Sequence, residues 1–212
     1  MQALASEEGA GTLKDMVLFG NRSSFGIEVL IDHALRALPD APTALSGRCC
    51  VWLHGVPVGD LDEWGCVLDT IRRELVDTAA SLQHRWHPAL AGLTAAQRFD
   101  RLDRLVFAAH RTRSLAEGLD AEARRELFAQ IDREKEGWGI RSFLIHSSEA
   151  FDGWKAFLLV PPPGDLVQVV WCADADERAE VHEALVPTTG FRAVVDAFAV
   201  WFETAQARWR SD

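Results

Sequence analysis

Apolar and polar positions alternate in the first quarter of the chain, and a two-residue period is typical of β-strands. MVLFG at 16–20 and SFGIEVLID at 24–32 are two such runs, and RCCVWLH at 48–54 is a third. Between the first two lie Gly20 and Asn21, residue types that tolerate the positive backbone angles of a tight turn. A phosphate-binding loop would need a Lys followed by Ser or Thr and then a helix, and neither follows here. The pattern therefore predicts a hairpin followed by a third strand.

Four later segments show the 3.6-residue period of amphipathic helices. Residues 66–79 carry one apolar stripe, and residues 95–115 follow a capping box formed by Thr94 and Gln97. A third helix is predicted from an Asp120 cap through residue 131, ended by the glycines of EGWG. The last stripe is the longest, and it predicts a C-terminal helix that lies on the sheet: Phe191, Val194, Val195, Phe198, Trp201, Phe202, Ala205, Trp209.

The section from 140 to 173 contains three β-type runs, IRSFLIH, GWKAFLLV and DLVQVVWC, which predict an antiparallel meander. The segment ERAEVHEAL fits a helix or an edge strand, and we favour the strand. The predicted fold class is α+β, with a mostly antiparallel sheet, a central helical insertion and a long C-terminal helix packed on the sheet. Residues 1–15 lack periodicity and are expected to form a disordered tail before a single domain at 16–212.

The net charge of the chain limits the kinds of partner that it can attract. Thirty-two acidic residues against twenty-two basic ones give a formal net charge of −10, which argues against nucleic acid or an anionic membrane as the ligand. No apolar run approaches the roughly 18 residues that span a bilayer, and the first residues do not have a signal peptide pattern. A cytoplasmic location is expected, with all four cysteines reduced.

Candidate catalytic and metal-binding residues do not form a recognised constellation. His146 and Ser147 are strand neighbours that point to opposite faces, and the pair His84 and His87 is explained by a loop. The clustered aspartates lack the offsets of a calcium loop. No cofactor and no metal are expected, although the paired acids of a glycosidase remain formally possible.

Two acidic clusters are the candidate partner-binding residues. The first surrounds a tryptophan in a turn bounded by glycines, and the second follows the third β-type run: Asp60, Asp62, Glu63, Trp64; Asp174, Asp176, Glu177. An exposed tryptophan among acids is typical of an interface anchor. The alternatives are that the acids form solvated faces and that Trp64 folds back onto the sheet. The other tryptophans in periodic apolar runs are expected in the core: Trp52, Trp154, Trp171, Trp201.

Several of these segments together resemble a known family. The opening VLFGNRSSFGIEV, the strand RCCVWLHG, the later SSEAFDGWKAFLL, the VVW and VHEALVP segments and the helix opened by Phe191 are similar to the bacterial Immunity protein 42 family of polymorphic toxin systems. Membership implies a cytoplasmic protein that binds and neutralises a cognate toxin. It does not identify the toxin, and the oligomeric state stays open.

The acidic charge agrees with such a role, because acid clusters attract a basic toxin such as a nuclease and can occupy the positions of substrate phosphates. Two alternatives remain: a cytoplasmic ligand- or protein-binding accessory module unrelated to toxins, and an uncharacterised hydrolase.

Overall fold

The computed structural model describes residues 16–37, 43–107, 118–138, 142–144, 148–173 and 180–211. The predicted tail at 1–15 lies outside these ranges. The described strands pair antiparallel, and helices and strands occupy separate stretches of the chain, which confirms the α+β class. The described strands form two antiparallel sheets rather than the one expected, because no described strand within residues 16–67 pairs with one within residues 154–187.

The first sheet contains β1 (Met16–Gly20), β2 (Phe25–Ile31), β3 (Ser46–Leu53), β4 (Val56–Val58) and β5 (Cys66–Val67). The order is β1-β2-β3-β4, with β5 also paired to β3. The three predicted strands are confirmed. β4 and β5 were not predicted, because they are only three and two residues long and lie within turn signals.

The loop between β1 and β2 is a tight turn, as predicted. Gly20 has a φ of +78°, and a Cβ there would lie 2.4 Å from the Phe25 carbonyl oxygen, so only glycine fits. Asn21 donates its backbone N–H to the Phe25 carbonyl at 2.9 Å, and its side-chain Oδ1 accepts from the Ser23 backbone N–H at 2.7 Å.

Three α-helices lie in the described middle part of the chain: α1 (Leu68–Ala80), α2 (Ala95–Val106) and α3 (Ala121–Trp138). The Thr94 capping box is confirmed, since Thr94 Oγ1 accepts from the Gln97 N–H at 3.3 Å and Gln97 Oε1 accepts from the Thr94 N–H at 2.9 Å. The Asp120 cap is also present, and accepts from the Ala123 N–H at 2.9 Å. The described part of α2 ends at Val106, and residues 108–117 lie outside the described ranges.

α3 runs through residue 131 and ends at Trp138, within the EGWG segment whose glycines were expected to end it. Gly137 lies inside the helix, where a glycine costs only about 1 kcal/mol relative to alanine.

The second sheet contains β6 (Trp154–Leu159), β7 (Leu166–Ala173) and β8 (His182–Pro187), paired in that order. The strand favoured for ERAEVHEAL is confirmed as β8. IRSFLIH was expected to be the first strand of the meander, but its described residues, 142–144, form only an isolated bridge from Ser142 to Phe157. Leu144 breaks the run, because its φ is +63°.

The C-terminal helix α4 (Thr188–Ser211) contacts both sheets and α1, as its apolar stripe predicted. Phe191, Phe198 and Phe202 are buried in the main core, which lies between the two sheets and these helices. A smaller core joins α2 to the opposite face of the second sheet, where the rings of Phe99 and Phe157 are 5.4 Å apart. Within the described ranges, no helix is both long and apolar enough to cross a lipid bilayer.

Candidate protein-binding surface

The first acidic cluster lies in the turn between β4 and β5, residues 60–65, which we call the acidic turn. Its backbone is fixed at both ends. Gly59 and Gly65 have φ values of +102° and +83°, and a Cβ on Gly59 would lie 2.7 Å from the Phe151 ring. The Asp60 N–H donates to the Ala150 carbonyl at 2.9 Å. The turn is therefore held against the core by glycine geometry and by a hydrogen bond to a distant segment.

Carboxylates surround this turn. Asp60 and Asp62 are exposed and Glu63 is partly exposed. Asp60 Oδ1 accepts from the Asp62 N–H at 2.7 Å, which stabilises the turn locally. Asp32, which follows β2, adds a fourth carboxylate: its Oδ2 accepts from the Gly65 N–H at 3.4 Å, and its Oδ1 lies 3.2 Å from Arg48 Nε. Sequence analysis missed Asp32, because it is distant in sequence and reaches the turn only through strand pairing.

Trp64 projects into solvent. It is 62% exposed, so it does not fold back onto the sheet. Val67, the last residue of β5, is a second exposed apolar residue close to the turn in sequence. A large apolar side chain held on a rigid turn and ringed by acids is the arrangement that anchors many protein interfaces.

The other predicted site residues, Asp174, Asp176 and Glu177, lie outside the described residues. They follow the end of β7 at Ala173. The structure therefore brings together the four predicted residues of the acidic turn and adds Asp32 to them.

Of the four tryptophans expected in the core, Trp171 is buried in the main core, and Trp154 and Trp201 are partly buried and pack against that core. Trp52 was wrongly placed there. It lies on the opposite face of the first sheet, where Nε1 donates to Glu28 Oε2 at 2.6 Å. Arg22 pairs with the other Glu28 oxygen, and its guanidinium lies 4.9 Å from the centre of the Trp52 ring. The sequence signal was one acid, Glu28, within an otherwise apolar strand.

This cluster explains the chemistry of the cysteine beside it. Cys50 pairs with Glu28 across the strands and is fully buried. Burial, with a smaller contribution from the Glu28 carboxylate, raises the pKa of the Cys50 thiol to about 12. Burial also raises the pKa of Cys49 and of Cys66. These thiols are held in the neutral, unreactive form at neutral pH.

A pH dependence of stability follows from the raised pKa of Cys50. The thiol has an ordinary pKa near 9 in the unfolded chain and about 12 in the folded one. Its contribution to stability is thus fully present below about pH 9 and is lost as the pH rises toward 12. Urea unfolding at pH 8 and at pH 10 should show a smaller loss of stability in Cys50→Ala than in the wild type, by up to about 1 kcal/mol. Equal losses in the two proteins would contradict the assignment.

Comparison with known protein families gives a match over most of the chain. The family model described as Immunity protein 42 matches residues 16–201, which is most of the chain and includes the first sheet, the acidic turn and most of α4. Neither the curated proteins nor the solved structures give a significant match.

Proposed function

Because the chain belongs to the Immunity protein 42 family, we propose that it binds a cognate bacterial toxin domain in the cytoplasm and neutralises it through the acidic turn. The toxin is a basic protein, such as a nuclease. Neutralisation by binding requires a stable scaffold and a complementary surface, and it requires no catalytic group in this chain.

The exposure of Trp64 is the observation that carries the proposal. A tryptophan ring exposes on the order of 200 Å² of surface, and a soluble protein gains stability by burying it. Here the glycine geometry at residues 59 and 65 and the hydrogen bond from Asp60 to Ala150 hold the turn so that the ring stays outside. Binding to a partner would remove this apolar surface from water, and the surrounding carboxylates would pair with the partner's basic groups.

The charge of the whole chain supports a basic partner. A formal net charge of −10 creates a negative field that accelerates encounter with a cationic toxin. The second cluster, Asp174, Asp176 and Glu177, is proposed as part of the same contact on the basis of its charge alone. Salt screens such fields over about 8 Å at physiological ionic strength, so the association rate should fall as salt increases.

The test is co-expression with the C-terminal domain encoded immediately upstream of this chain. We expect the chain to restore the growth of cells that express that domain and to copurify with it as a stable complex. A domain that is toxic by itself, and that neither binds the chain nor loses its toxicity, would contradict the proposal.

Reversing charge in the acidic turn should slow association with the toxin. The variant Asp60→Lys, Asp62→Lys changes the net charge by +4 at the proposed contact, and we expect its association rate to fall about tenfold at low salt. The matched control is Glu122→Lys, Glu126→Lys, which makes the same change at two exposed positions of α3. Stopped-flow measurements at several salt concentrations would compare the two. Equal rates for both variants would show that only the overall charge matters.

A further inference from the structure

β1 is the outermost strand on one side of the first sheet. In antiparallel pairs, residues alternate between those that exchange hydrogen bonds with the neighbouring strand and those whose N–H and C=O point away from it. Asn21 and Phe25 form the next pair after Gly20 and Gly26, and the Asn21 N–H donates to the Phe25 carbonyl. Every second pair counted back from this one is therefore hydrogen-bonded. Val17 and Phe19 therefore bond to β2, and the backbone groups of Leu18 point outward. Within the described part of the chain, no strand pairs with this edge.

The other edge strands are short or already bonded to neighbouring segments. On β8, the Leu185 carbonyl meets His54 Nε2 at 3.1 Å. On β6, the Ala156 carbonyl accepts from the Phe143 N–H at 2.8 Å. β4 has only three residues, and Pro57 is one of them. Proteins use such short strands, prolines, charges and covering segments to prevent unwanted pairing at strand edges.

β1 lacks two of these devices, because its sequence MVLFG contains no charged residue and no proline. The Leu18 side chain is 40% exposed and lies on the face that carries Glu28. An uncharged edge of this kind is a template for another strand.

We propose that an extended segment of the toxin adds to β1 as a further strand of the first sheet, with its backbone bonded to the outward N–H and C=O of Leu18. This inference rests on the proposed function and identifies a second contact for the same partner. Backbone hydrogen bonds provide affinity in such strand addition, and the side chains beside the edge provide specificity.

Charge favours the toxin over a second copy of this chain as the occupant. Two copies, each with a formal net charge of −10, repel each other, whereas a basic toxin is attracted.

Position also favours a shared partner. Met16 at the start of β1 pairs with Leu30 of β2, and the next residue of β2, Ile31, pairs with Gly47 of β3. Gly47 in turn pairs with Cys66 of β5, which directly follows the acidic turn. β1 and the acidic turn thus lie at the same end of the first sheet. Three strand spacings of about 4.8 Å separate β1 from β5, so the gap is roughly 14 Å. One toxin domain is large enough to cover both.

The test uses proline on two edge strands. Leu18→Pro removes an outward N–H and leaves the β1–β2 hydrogen bonds intact, because proline is tolerated where the N–H does not serve the sheet. The matched control is Leu185→Pro on β8. Leu185 is 45% exposed. The Thr188 N–H donates to the Asp165 carbonyl, and in the alternation that follows from this bond the Leu185 N–H also points away from β7. We expect Leu18→Pro to weaken binding of the rescuing toxin domain at least tenfold and Leu185→Pro to leave it within twofold.

Hydrogen exchange provides a second measurement on the unaltered chain. The Leu18 amide should exchange rapidly in the free protein and become protected when the toxin domain binds, while the Val17 and Phe19 amides are already protected. If Leu18→Pro does not fold, hydrogen exchange of the wild-type chain and the variant Leu18→Lys, which places a charge at the edge, provide the test instead.

The outcomes separate the two proposals. No complex with the wild-type chain would overturn both. A complex that forms equally well with Leu18→Pro or Leu18→Lys, and that leaves the Leu18 amide unprotected, would overturn strand addition alone. A wild-type dimer in sedimentation velocity that dissociates in Leu18→Pro would assign the edge to a second copy and overturn the toxin assignment.

Discussion

Replacing Phe191 with alanine should lower the free energy of unfolding by about 3 to 5 kcal/mol, the usual cost of deleting a fully buried phenylalanine. Phe191 is completely buried near the start of α4. Its ring centre lies 4.8 Å from that of Phe25 in β2 and 6.4 Å from that of Phe143. The substitution would open a cavity where three distant parts of the chain meet, and the rigid neighbours could not collapse into it fully.

Urea unfolding monitored by tryptophan fluorescence would measure this loss. Val200→Ala is the control in the same helix, because Val200 is 72% exposed and its loss should change stability by less than about 0.5 kcal/mol. A loss below about 1 kcal/mol for Phe191→Ala would mean that α4 is not packed against both sheets as described.

Replacing Trp64 with alanine should reduce affinity for the toxin by 30-fold or more, which corresponds to at least about 2 kcal/mol. The physical reason is that the exposed ring is the largest apolar surface available to a partner at the acidic turn. The folded chain gains little from a side chain that is mostly in water, so its melting temperature should shift by only a degree or two.

Isothermal titration calorimetry with the rescuing toxin domain would give the affinity, and a thermal melt of the free chain would give the stability. Val200→Ala is again the control, since Val200 is an exposed apolar residue on α4, outside the acidic turn. A Trp64→Ala protein that binds as tightly as the wild type would remove the turn from the interface. A large fall in melting temperature would instead place the ring in the core.

The acidic turn and the β1 edge suggest how this scaffold serves binding. α4 and the two sheets form the stable body of the protein, while the contacts proposed for the toxin lie at one end of the first sheet. The Arg22, Glu28 and Trp52 cluster lies on the face beside β1, so the side chains next to the open edge are already ordered before a partner arrives. A preordered surface loses less side-chain entropy on binding.

Periodicity predicted the long elements well because their side chains report one simple environment. The stripe on α4 reflects one buried and one exposed face, the alternation in β2 places Phe25, Ile27 and Val29 in the main core, and the capping box at Thr94 is a local hydrogen-bond pattern. The predictions were wrong where local signals were weak or contradicted by packing. The run IRSFLIH has β propensity, yet Leu144 turns away with a positive φ, and its N–H donates to Glu74 Oε1 of α1 at 2.6 Å.

The sequence by itself determined the α+β class, the main strands and helices, the family resemblance and the acidic charge that favours a basic partner. Tertiary structure alone decided that the described strands form two sheets, that Trp64 points into solvent, that Asp32 joins the acidic turn, and that no other described strand pairs with the outer edge of β1. The physical reason is the range of the interactions. Periodicity and capping depend on residues within a few positions of one another, whereas exposure, strand order and edge pairing depend on which distant segments meet.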